Sequence, residues 1–431
     1  MSEPLPDAPR QTALQAAVVG GPPIPPSDDP FGVPPLGFET KPAGAILRWR
    51  AVELAFLGRI PQRVAAYQLL YRTSTGSGNP QAAITTVIVP RSGGPERGVL
   101  SYQCAIDAVA STAFPSYLLR RHAKVWGGFP PWEYLLVAAA LDRGWVVVVP
   151  DHEGPRGVWG APCEPGYCVL DGLRAAISHP PAGLSADSPM ALWGYSGGGL
   201  ATGWAAEMWA EYAPELNVVG AVLGSPVGDL GATFRRLNGS LFAGLAALVI
   251  SALRQEFPRF AALVQSHTNT KGLALLSELE QLSTIRAIAR FPLRKVERYL
   301  DLPLDELLRH PEIVDMFDQV RLGHSVPAMP LLMIQAVADP IISTRAIDAL
   351  AAFYRSGGAD VVYVRDILSE HLILHPVSAP LALRWLHGRF AGEPVEPTST
   401  RRTLLLLHPA SAWGLLRLAY VTVKVATGRT F

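Results

Sequence analysis

Residues 190–212 constrain this chain more than any other stretch. Apolar Met190-Ala191-Leu192-Trp193 leads into Gly194-Tyr195-Ser196-Gly197-Gly198, and a helix-forming segment, Leu200 to Tyr212, follows at once. The order is buried strand, tight turn, helix, with a serine at the apex. Such a turn holds Ser196 in a strained backbone conformation that lifts its hydroxyl clear of the sheet. Gly194 and Gly198 suit the flanks because a β-carbon at either would collide as strand and helix close up. The N–H of Gly197 then faces the space where a carbonyl oxygen would become an oxyanion. The bare G-x-S-x-G pattern is weak; the strand before it and the helix after it make it specific.

Length and composition narrow the setting. At 431 residues the chain exceeds a typical domain, so one large domain with a sizeable insertion is expected. The 37 Lys and Arg nearly balance 36 Asp and Glu, and no basic run appears, which argues against nucleic acid as a partner. Hydrophobic residues reach 49% and mean hydropathy is +0.21, which suits a large apolar cavity or a lipid-facing surface. Three cysteines, Cys104, Cys163 and Cys168, do not make a disulfide framework, although Cys163 and Cys168 are close enough in sequence to bridge. No Cys/His spacing suggests zinc, and the chemistry read below needs no metal or cofactor. The acidic, proline-rich N-terminus lacks a basic segment followed by an apolar one, so no signal peptide is expected and the compartment stays open between cytoplasm, membrane periphery and cell envelope.

Along the chain, residues 1–45, with ten prolines in the first 40, read as an extended arm. Strands are expected at Val64–Thr73 and Ala82–Pro90 (a hairpin around Gly76 to Pro80), Gly98–Gln103 and Trp145–Pro150, then at the elbow, Asn217–Gly224, Met329–Ala338 and Val361–Arg365. Helices fall between them at Tyr134–Arg143 and Tyr167–Ser178, with a last one around Leu381–Phe390. This alternation predicts an α/β-hydrolase fold: a mostly parallel sheet covered by helices on both faces, with its core in 46–227 and 326–392. Residues 228–325 break the alternation with nearly a hundred residues of helical pattern and read as an inserted cap or lid. In the tail, 393–431, Leu404–Val425 is apolar but interrupted by His408, Pro409, Arg417 and Lys424, too broken to span a membrane. It reads as a flap on the enzyme, a greasy tail, or an interfacial segment anchored by Trp413 and Tyr420.

A serine nucleophile needs a general base, and that imidazole needs an acid to fix its tautomer. In this fold the order is serine, acid, histidine. Asp339 leaves the end of a buried strand directly after the cap, whereas Asp348 falls in the following helix. The histidines beyond it are His371, His375, His387 and His408. His371 follows the last strand most closely, with His375 as competitor; His387 lies within a helix. Asp366 and Glu370 are acids in the histidine's own loop. A second oxyanion donor is expected after Gly98–Gln103, from the N–H of Ala105, Ile106 or Asp107.

Several further segments resemble one family, the secretory lipases of the lipase-A type found in yeasts and actinobacteria. They are Tyr71-Arg72-Thr73, Ser101-Tyr102-Gln103 with Asp107, Pro115-Ser116-Tyr117, and Pro150 to Gly154. Gly166-Tyr167, Leu170 to Arg174, Gly194 to Thr202, Tyr212 to Leu216 and Ala382 to Leu386 continue the series over about residues 40–392. The resemblance implies a triad of Ser196, Asp339 and His371, an oxyanion hole from the N–H groups of Gly197 and Asp107, and a helical lid over an acyl tunnel. Beside the resemblance, the composition and the helical cap favour a lipid or ester substrate, and the apolar lid and tail suit contact with a membrane or lipid droplet. Two alternatives stand beside a triacylglycerol lipase: a short-chain esterase or acyltransferase of the same fold, and a non-catalytic lipid-binding relative. Family members are usually exported, in contrast to the N-terminus here, and the tail beyond about residue 393 has no match in the family pattern.

Overall fold

The computed structural model describes residues 22–91 and 98–431. Ten strands form one sheet: β1 (Ile46–Ala51), β2 (Ala65–Ser74), β3 (Pro80–Val89), β4 (Val99–Gln103), β5 (Val146–Pro150), β6 (Met190–Tyr195), β7 (Val218–Gly224), β8 (Leu331–Ala336), β9 (Val361–Asp366) and β10 (Ser399–Thr403). Their spatial order is β1-β2-β3-β5-β4-β6-β7-β8-β9-β10. The first three strands and β5 pair antiparallel, and from β5 to β10 every pair is parallel. The central strands are buried along their whole length because helices cover both faces, so they read as unbroken apolar runs.

The helices are α1 (Pro130–Leu141), α2 (Glu164–Ile177), α3 (Gly197–Tyr212), α4 (Leu230–Leu237), α5 (Ala243–Leu253), α6 (Pro258–His267), α7 (Thr270–Leu279), α8 (Thr284–Arg290), α9 (Pro311–Gln319), α10 (Thr344–Ser356), α11 (His371–Phe390) and α12 (Pro409–Ala426). One core layer joins α2, α3 and α10 to the sheet and continues into α4 to α9. The opposite layer is built from α1, α11 and α12. All of α4 to α9 comes between β7 and β8, so the hundred residues without a strand form a helical assembly on the C-terminal side of the parallel strands.

The structure departs from the sequence reading in several places. Two edge strands were missed. In β1 the one buried residue is Arg50, and β10, Ser-Thr-Arg-Arg-Thr, has no buried position; edge strands have one free side and need no apolar run. Through β10 and α12 the tail packs on the domain, as the flap among its three readings expected. Helix α11 starts at His371, ten residues before the expected last helix, because Glu370 caps it by accepting the N–H groups of Leu372 and Ile373. Pro376 and Pro380 sit inside it. Cys163 and Cys168 are both free, with Cys163 at the cap of α2 and Cys168 buried on its inner side. Within the arm, the short turn at Pro30–Gly32 lies against the domain, the Pro30 carbonyl accepting from Arg48 and the Arg50 guanidinium standing over the Phe31 ring, and a second turn spans Phe38–Thr40; the expectation for residues 1–21 lies outside the described residues.

Candidate active site

The elbow forms as its glycines require. Ser196 takes φ 55° and ψ −118°, and its N–H donates to the Gly224 carbonyl at 2.8 Å. A β-carbon on Gly194 would lie 2.1 Å from the Gly198 carbonyl oxygen, and one on Gly198 would lie 2.0 Å from that of Gln103. Neither backbone oxygen can retreat, so only glycine fits at both positions. Gly197 opens α3, so its N–H has no acceptor within the helix and sits at the positive end of the helix dipole.

β8 ends just before Asp339. One carboxylate oxygen, Oδ1, accepts the N–H groups of Ile341 and Ile342, both at 2.8 Å; the other, Oδ2, accepts from Gln335 Nε2 at 3.0 Å and from His371 Nδ1 at 2.7 Å. Burial pushes the Asp339 carboxyl up, but the His371 bond and charge, with the two backbone donors, outweigh it and hold it below the usual carboxylate range. With Nδ1–H committed to Asp339, the other ring nitrogen of His371, Nε2, presents its lone pair to the Ser196 hydroxyl at 2.9 Å. Serine, imidazole and carboxylate thus lie in one hydrogen-bonded line.

The rival residues have other partners. His375 stacks on Tyr195 with ring centroids 4.2 Å apart, and its Nε2 lies 3.2 Å from the Tyr102 hydroxyl. Burial, and then the charge of His371, push it down to about 3, so it stays neutral. Asp366 accepts the N–H groups of Ser369 and Leu405, both at 2.7 Å, Glu370 caps α11, and Asp348 binds Tyr363 and Arg365. His387 lies inside α11 and stacks on Trp145.

The loop after β4 differs from expectation in one respect. Asp107 has a left-handed φ of 45°, and its N–H donates to Glu153 Oε1 at 2.8 Å, so in this conformation it is not free for an oxyanion. Its side-chain Oδ1 has no hydrogen-bond partner and lies over Gly197, where a β-carbon would stand 1.7 Å from it. Burial pushes Asp107 up to about 7, offset in part by His371. Burial, reinforced by Asp107, raises Glu153 well above the carboxylate range. The N–H of Ala105 is likewise committed, to Glu133 Oε2 at 2.9 Å. Burial drives Glu133 up to about 8, and the Tyr102 hydroxyl stands 3.0 Å from its Oε1, between it and His375.

Neighbours that the sequence reading did not single out fix the site from outside. The Tyr195 hydroxyl donates to the His371 carbonyl at 2.6 Å. Arg236 on α4 donates to the Asp339 carbonyl at 2.6 Å, and the Thr284 hydroxyl, at the start of α8, donates to the carbonyls of Ile106 and Asp107. The inserted helices therefore grip both the acid loop and the oxyanion-side loop. Only the Glu-Gly ending of Pro150 to Gly154 hinted at Glu153; nothing in the sequence marked Thr284 or Arg236, whose partners are backbone atoms more than a hundred residues away.

The mostly parallel sheet and the serine at the β6–α3 elbow define an α/β-hydrolase, and the Asp–His–Ser line has the geometry of a serine triad. The chain belongs to the secretory lipase family, a family of carboxylic ester hydrolases, whose sequence model, "Secretory lipase", matches residues 120–397. It is 53% identical to a Mycobacterium tuberculosis protein described as a probable inactive lipase, over 94% of this chain and 92% of that one. It is 34% identical to lipase A of Arthroderma benhamiae, over 90% of this chain and 85% of that one. Among solved structures it is similar to Candida antarctica lipase A, with a TM-score of 0.84 and 26% identity over 95% of this chain and 99% of that one.

Proposed function

We propose that this protein hydrolyses carboxylic esters of lipids, most specifically triacylglycerols, through an acyl-enzyme on Ser196. The observation that carries the reading is the unbroken line from Asp339 through His371 to Ser196, at 2.7 and 2.9 Å. On this reading His371 takes the Ser196 proton as the hydroxyl attacks the ester carbonyl, and Asp339 holds the ring and stabilises the imidazolium. The Gly197 N–H stabilises the oxyanion at the helix N-terminus. Asp107 supplies the second donor only once Glu153 releases its N–H, so this donor would form as the acyl group binds. His371 then passes its proton to the leaving alcohol, and water hydrolyses the acyl-enzyme by the reverse sequence.

Support for a long acyl chain comes from the inserted helices. They line a partly open apolar cavity of about 110 Å³, bordered by Ala247, Val249, Ile250, Leu263, Leu275 and Met316 among other side chains, with none of Ser196, His371 and Asp339 in its wall. Each methylene buried there contributes about 0.8 kcal/mol. The reading makes residues 228–325 an acyl-accommodating lid. Rates of hydrolysis for esters from short to long chain test it: kcat/KM should climb with length and vanish in Ser196→Ala, whereas a flat profile would leave a short-chain esterase.

A second reading, a lipid-binding protein without turnover, is favoured by the name of the M. tuberculosis relative and by the Glu153–Asp107 bond. It predicts retention of long-chain lipid with no hydrolysis of any ester, short or long.

A further inference from the structure

The segment 401–431 concentrates one sign of charge. It holds five of the 37 basic residues, Arg401, Arg402, Arg417, Lys424 and Arg429, and none of the 36 acidic ones. It carries +5 where the remaining residues carry −4. The same segment exposes an apolar face. Trp413, Leu416, Tyr420 and Val423 recur along α12 at the spacing that places them on one side of a helix, and they are 74, 64, 55 and 55% exposed. Val421 and Val425, on the other side, are fully buried against α1 and α11.

This helix is anchored, not loose. A β-carbon on Gly414 would lie 2.3 Å from Pro380, so its absence lets α12 press onto α11. Phe431 is buried, and its carbonyl accepts the Arg91 N–H at 2.8 Å. The outward aromatic and aliphatic side chains are therefore presented by a fixed surface. The apolar exposure continues toward the site: Leu406 and Leu407 follow β10, whose Thr403 carbonyl accepts the Ile367 N–H. Ile367, Leu368, Leu372 and Ile373, around His371, are each about half exposed.

We infer that the outer face of α12 docks on an anionic lipid surface, lying in the interface with Trp413 and Tyr420 at headgroup depth. A helix with an apolar aromatic face, no acidic residue and a cationic flank has the composition of an interfacial helix. Basic residues near an anionic leaflet add attraction that falls with salt. Arg402 and Arg429 are exposed and make no ion pair among the described residues, whereas Arg401 bonds Glu396 and both Arg417 and Lys424 bond Asp142. Among the described residues no helix is long and apolar enough to cross a membrane, consistent with a helix that lies on the surface. Docking would bring the exposed loop beside His371 toward the lipid. The inference deepens the lipid-ester reading but does not use Ser196 chemistry.

The test is co-sedimentation of the full chain with vesicles of phosphatidylcholine alone or with one-third phosphatidylglycerol, in wild type, Ser196→Ala and the triple variant Trp413→Ser/Leu416→Ser/Tyr420→Ser. Wild type and Ser196→Ala should bind the anionic vesicles equally, more weakly at high salt, and the triple variant should bind at least about tenfold more weakly. Turnover of a water-soluble ester by the triple variant should match wild type, which separates lost docking from lost folding. Equal binding by wild type and triple variant would overturn the inference. So would a wild-type dimer in size-exclusion chromatography that the triple variant dissolves, since the face would then cover a second copy. If vesicles bind but no ester is hydrolysed, the docking surface stands and the enzymatic reading falls.

Discussion

The hydroxyl of Tyr195 donates to the backbone carbonyl of His371 at 2.6 Å, so the residue just before the nucleophile holds the residue proposed as its base. Ser225 Oγ lies 3.1 Å from the same hydroxyl. Removing it in Tyr195→Phe should leave the ring stack on His375 intact and free His371 by one hydrogen bond. A net loss of about 0.5–1.5 kcal/mol corresponds to a drop of roughly two- to tenfold in kcat. Steady-state kinetics on the variant check this, and an unchanged kcat would show that the bond does not position the ring.

His371→Ala should lower turnover by about 10⁴-fold, and Asp339→Asn by a similar order, because the amide permits the wrong imidazole tautomer. His375→Ala should behave differently. Its ring fills a buried stack on Tyr195 and meets Tyr102, so stability should fall by about 1–3 kcal/mol while activity at low temperature persists. Thermal unfolding and kinetics on the same three variants separate the two roles. An inactive but stable His375→Ala would reverse the assignment.

Stability should fall as pH rises from about 6.5 to 8. Burial keeps Glu133 protonated up to about 8, and Asp107, Asp151 and Glu164 up to about 7, while the same groups in the unfolded chain lose their protons near pH 4. Between those values the folded state holds more protons, so each such group removes about 1.4 kcal/mol of stability per pH unit until its folded value is passed. Burial also keeps His375 neutral to about 3 and His152 and His179 neutral to about 4, which favours folding as pH rises toward 6.5. The two groups of residues oppose each other below 6.5, and only the acids act above it. Denaturant titrations at pH 6.5, 7.25 and 8 should show the decline, and Glu133→Gln should make it shallower. A rise over that interval would mean that these carboxyls are ionised in the folded protein.

Filling the cavity in the inserted helices should shorten the preferred acyl chain. Ala247 lines it, so Ala247→Trp should cut kcat/KM for long esters while sparing acetates. The loss should grow by about 0.8 kcal/mol for each methylene excluded. Equal losses at all lengths would place the acyl chain elsewhere.

Much of this architecture was readable because it rests on local rules. The buried strands announce themselves as apolar runs, and the elbow is specified by two glycines that backbone contacts make obligatory. Asp339 and His371 followed from chain order once Ser196 was placed. Other features escaped because their cause is tertiary. The β1 and β10 strands need no apolar pattern at an edge, α11 carries two prolines that packing overrides, and the capture of the Asp107 N–H by Glu153 joins residues 46 positions apart. The broken hydropathy of the tail left a flap, a greasy tail and an interfacial segment open together, because one face of α12 is core and the other is apolar and exposed, a distinction that only the packing partner defines.

On the reading proposed above, Ser196 is an activated nucleophile. The most direct measurement is intact-mass analysis after incubation with a long-chain fluorophosphonate. One stoichiometric phosphonyl adduct on Ser196 is expected, blocked by an ester substrate and absent in both Ser196→Ala and His371→Ala. Unmodified wild-type protein, or an adduct that persists in Ser196→Ala, would contradict it.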